Sequence, residues 1–151
     1  MAKTTNLDVL RDLARQQLDA AAVQLRDATD KCQQARQQLE QLHVYRHDYR
    51  QRAQQSLDSG MSASNYRNFV HFLDTLDNAI SLQNKAISQL EDAVARARDD
   101  WRHKKRQLDA YEALQSRRNQ AAQQQEKRRE QRLSDERAIR RSAMHTSPTA
   151  S

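Results

Sequence analysis

Residues 14–39 read ARQQLDAAAVQLRDATDKCQQARQQL, and in this stretch an apolar side chain recurs at alternating steps of four and three residues. That spacing places the apolar side chains on one stripe with a period of 3.5, which is typical of helices wound around a partner. A second stretch with the same spacing runs from Tyr66 to Tyr111. The sequence therefore predicts two long helices that pack through heptad seams.

The composition excludes several classes of protein. The chain has 151 residues, of which 36% are hydrophobic and 30% charged, and it contains one glycine and one proline. Loops that cradle phosphate groups need several glycines, so GxxxxGK and GxGxxG sites are excluded. Tight β-turns also depend on glycine and proline, which argues against a sandwich or barrel with many hairpins. The classes of structure that remain are long helices and disordered chain.

The segment between the two heptad stretches reads LDSGMSASN (57–65) and has the composition of a loop. Gly60 suits a left-handed C-terminal cap, and either Ser62 or Ser64 suits the N-cap of the next helix. The predicted organisation is a disordered N-terminus (1–5), helix 1 (6–57), a loop (58–64), a paired helix 2 (65–114), a basic helical extension (115–142) and a disordered tail (143–151).

A test of register favours a chain that folds back on itself. When facing residue numbers sum to 122, Ala21 meets Trp101 and Cys32 meets Leu90, and small residues face large ones in layer after layer. Such alternation keeps the volume of a close-packed interface constant. The predicted fold is therefore an all-α, antiparallel two-helix coiled-coil hairpin with a basic C-terminal extension, rather than a parallel dimer.

The extension carries most of the net charge. Residues 115–142 hold nine Lys and Arg and four Asp and Glu, which is +5 of the chain's +6. Such a segment is a solvated helix, a contact for an acidic protein or lipid surface, or a nucleic-acid arm. Its acidic residues and its lack of aromatics argue against single-stranded nucleic acid. The basic residues singled out are Arg117, Arg118, Lys127, Arg128 and Arg129.

Aromatic residues concentrate near the loop and suggest a surface for a partner. Tyr45 and Phe72 fall at g positions, beside the seam, where half-exposed aromatics are candidates for docking. Tyr49, Tyr66 and Phe69 fall at seam positions, where packing is the simpler interpretation.

No residue pattern indicates catalysis, a cofactor or a metal. Cys32 lies at a seam position and is expected to be a buried, inert thiol. His43 and His47 have a spacing compatible with a metal but face outward without a third ligand. The single cysteine and the absence of a signal peptide or an apolar span indicate a cytosolic protein.

Three segments together resemble the flagellar FliJ family of the type III export apparatus. They are KCQQARQQLEQLHVYRHDYR (31–50), YRNFVHFLDTLDNAI (66–80) and DWRHKKRQLDAYEALQSRR (100–118). The similarity runs from about Leu7 to Arg118. It implies a non-enzymatic coiled coil that is similar to the central stalk of rotary ATPases.

The resemblance also implies partners and a binding surface. The expected partners are the hexameric export ATPase, the cytoplasmic linker of the membrane export-gate protein, and free export chaperones. The expected location is cytoplasmic and peripheral at the inner face of the cell membrane. The positions that match the family's gate-binding surface hold Gln38, Leu42, Tyr45, Tyr49, Phe72, Leu76, Ala79 and Gln83, the last where the family can have histidine. Alternative functions are a related injectisome stalk, a generic coiled-coil scaffold and a nucleic-acid-binding rod.

Overall fold

The structure, a computed structural model, describes residues 5–145, and these form two long helices. Helix α1 spans Asn6–Asp58, and helix α2 spans Ala63–His145. The two helices pack against each other, and the described residues contain no strand. The predicted all-α antiparallel hairpin with a helical extension is confirmed.

The start of α1 is held by a reciprocal cap between Thr5 and Asp8. The Asp8 amide donates to Thr5 Oγ1 at 3.2 Å, and the Thr5 amide donates to Asp8 Oδ2 at 3.0 Å. Two backbone donors that the helix leaves unpaired are satisfied in this way. The hydrogen bond from the Thr5 backbone, followed by that with its side chain, lowers the pKa of the Asp8 carboxyl.

Four residues, 59–62, connect the helices. Gly60 has φ +99°, in the left-handed region that glycine adopts without steric cost, and it ends α1 as predicted. Of the two serines proposed as N-caps, Ser62 has this role: its Oγ accepts from the Asn65 amide at 3.1 Å. The observed connection is shorter than the predicted loop 58–64, because Asp58, Ala63 and Ser64 are helical.

Helix α2 continues without a break through the basic extension. The predicted boundary at residue 115 does not interrupt the helix, and the helix also includes residues 143–145, which were expected to begin a disordered tail. Once a helix exists, each further residue adds a hydrogen bond at little cost, and the first proline comes only at Pro148. The other residues predicted to be disordered, 1–4 and 146–151, lie outside the described residues.

The chain divides into two compact units. In the unit Gln16–Lys105, the buried residues all lie at the predicted seam positions; they are Ala21, Cys32, Ala35, Ala53, Leu76 and Ile87. In the other unit, formed among the described residues by 5–15 and 106–145, Ala14 and Leu108 are buried, and Gln115 bonds to Asp8. Each unit thus buries its seam independently.

In two layers of the unit Gln16–Lys105, the small residue of α1 is more deeply buried than the large residue that it faces. Ala21 is 3% exposed, whereas Trp101 opposite it is half-buried, and Leu90 is likewise half-buried opposite Cys32. In these two layers the small side chain lies within the seam, whereas the large one extends to its edge. A two-helix core therefore depends on the alanines being small.

We expect Ala21→Leu to destabilise the protein by about 1–3 kcal/mol, because a well-packed seam has no space for the added carbons. Thermal or denaturant unfolding followed by circular dichroism measures the change. The matched control is Ala20→Leu, the same substitution at the neighbouring exposed position. Equal stability of the two variants would contradict this packing.

Candidate functional site

Near the connection, four aromatic rings from both helices form one cluster. Tyr49 of α1 lies between two rings of α2, with its centroid 4.4 Å from that of Phe72 and 5.3 Å from that of Phe69. Tyr45 meets Phe72 edge-on at 6.1 Å. These separations are in the range in which aromatic pairs attract beyond their burial. We call these four residues the aromatic cluster.

The aromatic cluster is partly open to solvent. The Tyr45 side chain is 53% exposed, although it contacts Phe72. Tyr49, Phe69 and Phe72 are half-buried. The two interpretations of these aromatics are thus compatible in geometry, since the same rings pack the seam and present an apolar edge outward. Tyr66, which was expected to pack in the seam, is instead 46% exposed.

The remaining residues of the predicted gate-binding set differ in their exposure. Leu42 and Ala79 are half-buried and lie at the surface of the seam. Leu76 is only 6% exposed, so it is buried between the two helices. A partner that lies on this surface would contact Leu42 and Ala79 but would not reach Leu76.

Gln83 occupies a seam position and bridges the two helices through its side-chain amide. Its Nε2 donates to the Ala35 carbonyl at 2.9 Å and to Gln38 Oε1 at 3.1 Å. A polar side chain in a coiled-coil seam favours one register over others. Gln38 is exposed, so Gln38 and Gln83 form the end of the predicted gate-binding surface that lies farther from the loop.

The two flanks of the seam differ in charge. The flank of e positions carries the ion pairs Arg36–Glu91 at 2.9 Å and, towards the loop, Arg46–Asp77 at 2.6 Å. The hydrogen bond to Glu91 raises the pKa of the Arg36 guanidinium. The flank of g positions beside the aromatic cluster is uncharged from residue 72 to 86 on α2; its members are Phe72, Ala79 and Ala86. Only the uncharged flank suits an apolar partner.

The heptad pattern did not reveal one of these interactions. Arg46 lies at a seam position of the heptad repeat, yet its side chain reaches out of the seam to Asp77. The sequence held one sign of this ion pair. A long cationic side chain, Arg46, stands at a seam position, and an acidic residue, Asp77, stands beside the seam on the other helix.

The other side chains considered for chemistry are placed as follows. Cys32 is buried, and His43 and His47 are exposed on the surface of α1. Within residues 5–145, no three His, Cys, Asp or Glu side chains come together in a way that could hold a metal ion. Over the same residues, no helix is both long and apolar enough to cross a membrane.

Beyond Gln115, the basic extension is exposed along its whole described length. Every residue from 116 to 145 is accessible to solvent. The predicted basic residues Arg117, Arg118, Lys127, Arg128 and Arg129 therefore all lie on an open helix surface.

Comparison with known proteins agrees with the resemblance to the FliJ family. The family model of the "Flagellar FliJ protein" matches residues 3–147. A "Flagellar FliJ protein" of Salmonella typhi is 35% identical over 140 residues, covering 93% of this chain and 95% of that protein. A protein of the same description from Escherichia coli (strain K12) has the same identity and coverage. The chain therefore belongs to the flagellar FliJ protein family and is a component of flagellar protein export.

Proposed function

We propose that the chain is a non-enzymatic, stalk-like coiled coil that promotes assembly and activity of the export ATPase hexamer. Its second partner is the cytoplasmic linker of the membrane export-gate protein, and its third is the set of free export chaperones, which it escorts. It acts in the cytoplasm, peripheral to the inner face of the cell membrane. Family membership supports this proposal, together with the partly exposed aromatic cluster on an uncharged flank.

Docking to the gate linker uses the aromatic cluster and its neighbours. The contact residues are those of the predicted set that reach the surface: Gln38, Leu42, Tyr45, Tyr49, Phe72, Ala79 and Gln83. Tyr45 is the main anchor, because it combines a large ring with high exposure and is held in place by Phe72. An aromatic ring that packing already holds in place loses little conformational entropy on binding, which is one reason why interfaces are rich in aromatic residues.

Replacing Tyr45 and Phe72 with alanine should weaken binding of the gate linker by about 1–3 kcal/mol for each ring. Isothermal titration calorimetry with the isolated linker measures the affinity, and circular dichroism checks that helicity is retained. The matched control is Val44→Ala, an exposed apolar residue next to Tyr45 that lies away from the cluster. Because Phe72 also packs in the seam, Tyr45→Ala alone serves as a second variant. Unchanged linker affinity in both variants would contradict the docking surface.

Action on the ATPase uses the other unit, where the start of α1 pairs with α2 and the basic extension continues. Here Arg11 donates to Gln115 at 2.7 Å, and Arg15 pairs with Glu112 at 3.2 Å. In a ring whose subunits turn over nucleotide in sequence, a stalk makes contacts that must form and break repeatedly. Exposed charges suit this role, since each exposed pair is weak.

We expect the protein to raise both the turnover and the hexamer formation of the matching export ATPase, and deletion of residues 115–142 to lower this stimulation. Phosphate release and size-exclusion chromatography measure the two effects. The variant with alanine at positions 45 and 72 is the control and should stimulate normally, because its changes lie in the other unit. Full stimulation by the protein that lacks residues 115–142 would show that the extension has no role in stimulating the ATPase.

A further inference from the structure

The arginines of the extension lie on one face of α2. Residues eleven apart on an α-helix point within about 20° of each other. Arg117 and Arg128 have this spacing, as have Arg118 and Arg129, and Arg132 follows them at three and four residues. The five side chains therefore occupy about a third of the helix circumference over about 22 Å. We call them the arginine face.

Two of the four acidic residues of the same segment point away from the arginine face. Glu126 and Glu130 lie on the side of the helix opposite the middle of the arginine face, at 3.6 residues per turn. Asp135 and Glu136 point in the direction of the face but follow its last arginine by three and four residues, so the face ends at Arg132. The net charge of the segment is thus divided into a positive face and a mixed one, which the composition alone does not reveal.

The arginine face is available to a partner. All five side chains are exposed, and within residues 5–145 no ion pair forms at Arg117, Arg128, Arg129 or Arg132. Between them the helix carries Ala121 and Gln125 along the face, so no bulky group separates the two arginine pairs. Arg118 already interacts with a carboxylate of this chain, since its charge helps to lower the pKa of Asp8.

We propose that the arginine face binds an acidic helical segment of a partner protein, whose carboxylates repeat along one side at intervals of three turns. Guanidinium groups pair with carboxylates through two parallel hydrogen bonds, which makes arginine the residue suited to this recognition. The surface lies in the basic extension, and the proposal does not depend on docking to the gate.

Two other anionic partners fit less well. A helix that lies on an anionic bilayer normally buries an apolar stripe, but residues 116–132 contain no apolar side chain larger than alanine. A helix in a nucleic-acid groove meets phosphates on both of its flanks. Here five of the six basic residues between 117 and 132 lie on one side, with Glu126 and Glu130 opposite. A partner protein that presents its carboxylates from one side matches this distribution of charge.

Binding of the full chain to two labelled peptides tests the proposal. The first is a helical peptide with pairs of glutamates eleven residues apart on one side, and the second has the same composition with glutamates on all sides. Fluorescence anisotropy measures both affinities at low salt. The variant Arg128→Gln, Arg129→Gln, Arg132→Gln removes three charges from the arginine face. Its control, Lys127→Gln, Arg137→Gln, Arg141→Gln, removes three charges from elsewhere on the helix.

The one-sided peptide should bind more tightly than its isomer. The arginine-face variant should bind it about tenfold more weakly than the unmodified chain, and the control variant should bind nearly as well. Absence of binding, equal binding of the two peptides, or equal losses in the two variants would overturn the proposal. Tighter binding to phosphatidylglycerol vesicles, or to an unrelated DNA duplex, would also overturn it in favour of lipid or nucleic acid.

Discussion

The structure depends on close packing between alanines of α1 and large side chains of α2. In a two-helix core each layer has only two members, so the volume available to one is set by the other. Ala14 faces Leu108 and Ala35 faces Ile87, and all four are buried. A slip by one layer along either helix would bring large residues together and leave gaps between small ones. The packing therefore fixes the register in each unit.

The register in turn determines which surfaces the protein offers. In the unit Gln16–Lys105 it brings Tyr45 and Tyr49 against Phe72. The polar residues of the seam reinforce this alignment, because Gln83 bonds to Ala35 and Gln38 only when the helices are in this register. Ion pairs occupy one flank, whereas the α2 side of the other flank is uncharged from residue 72 to 86. Such exposed pairs add little stability, so their main effect is on the choice of partner.

The periodicity of the sequence was enough to predict both helices, the seam positions and the caps at Gly60 and Ser62, since these depend on local chemistry and on volume. The details at the surface of the seam were not predictable in the same way. The heptad pattern assigns Leu76 and Leu42 to the same class, yet only Leu42 reaches the surface, because exposure depends on which neighbours cover each position. Arg46 has a side chain long enough to leave the seam, and its partner could not be chosen from spacing alone. The proposed gate-binding residues come from resemblance to the family, and the structure adds which of them are accessible.

Cross-linking within the seam tests the antiparallel packing most directly. Cys32 is the chain's only cysteine and lies in the layer of Leu90, so Leu90→Cys followed by mild oxidation should give a disulfide within single molecules. Non-reducing electrophoresis and mass spectrometry distinguish an internally linked monomer from a linked dimer. Gln89→Cys, at an exposed neighbouring position, should not form the internal bridge. Antiparallel packing within one chain predicts linked monomers for Leu90→Cys, and the formation of linked dimers alone would contradict it.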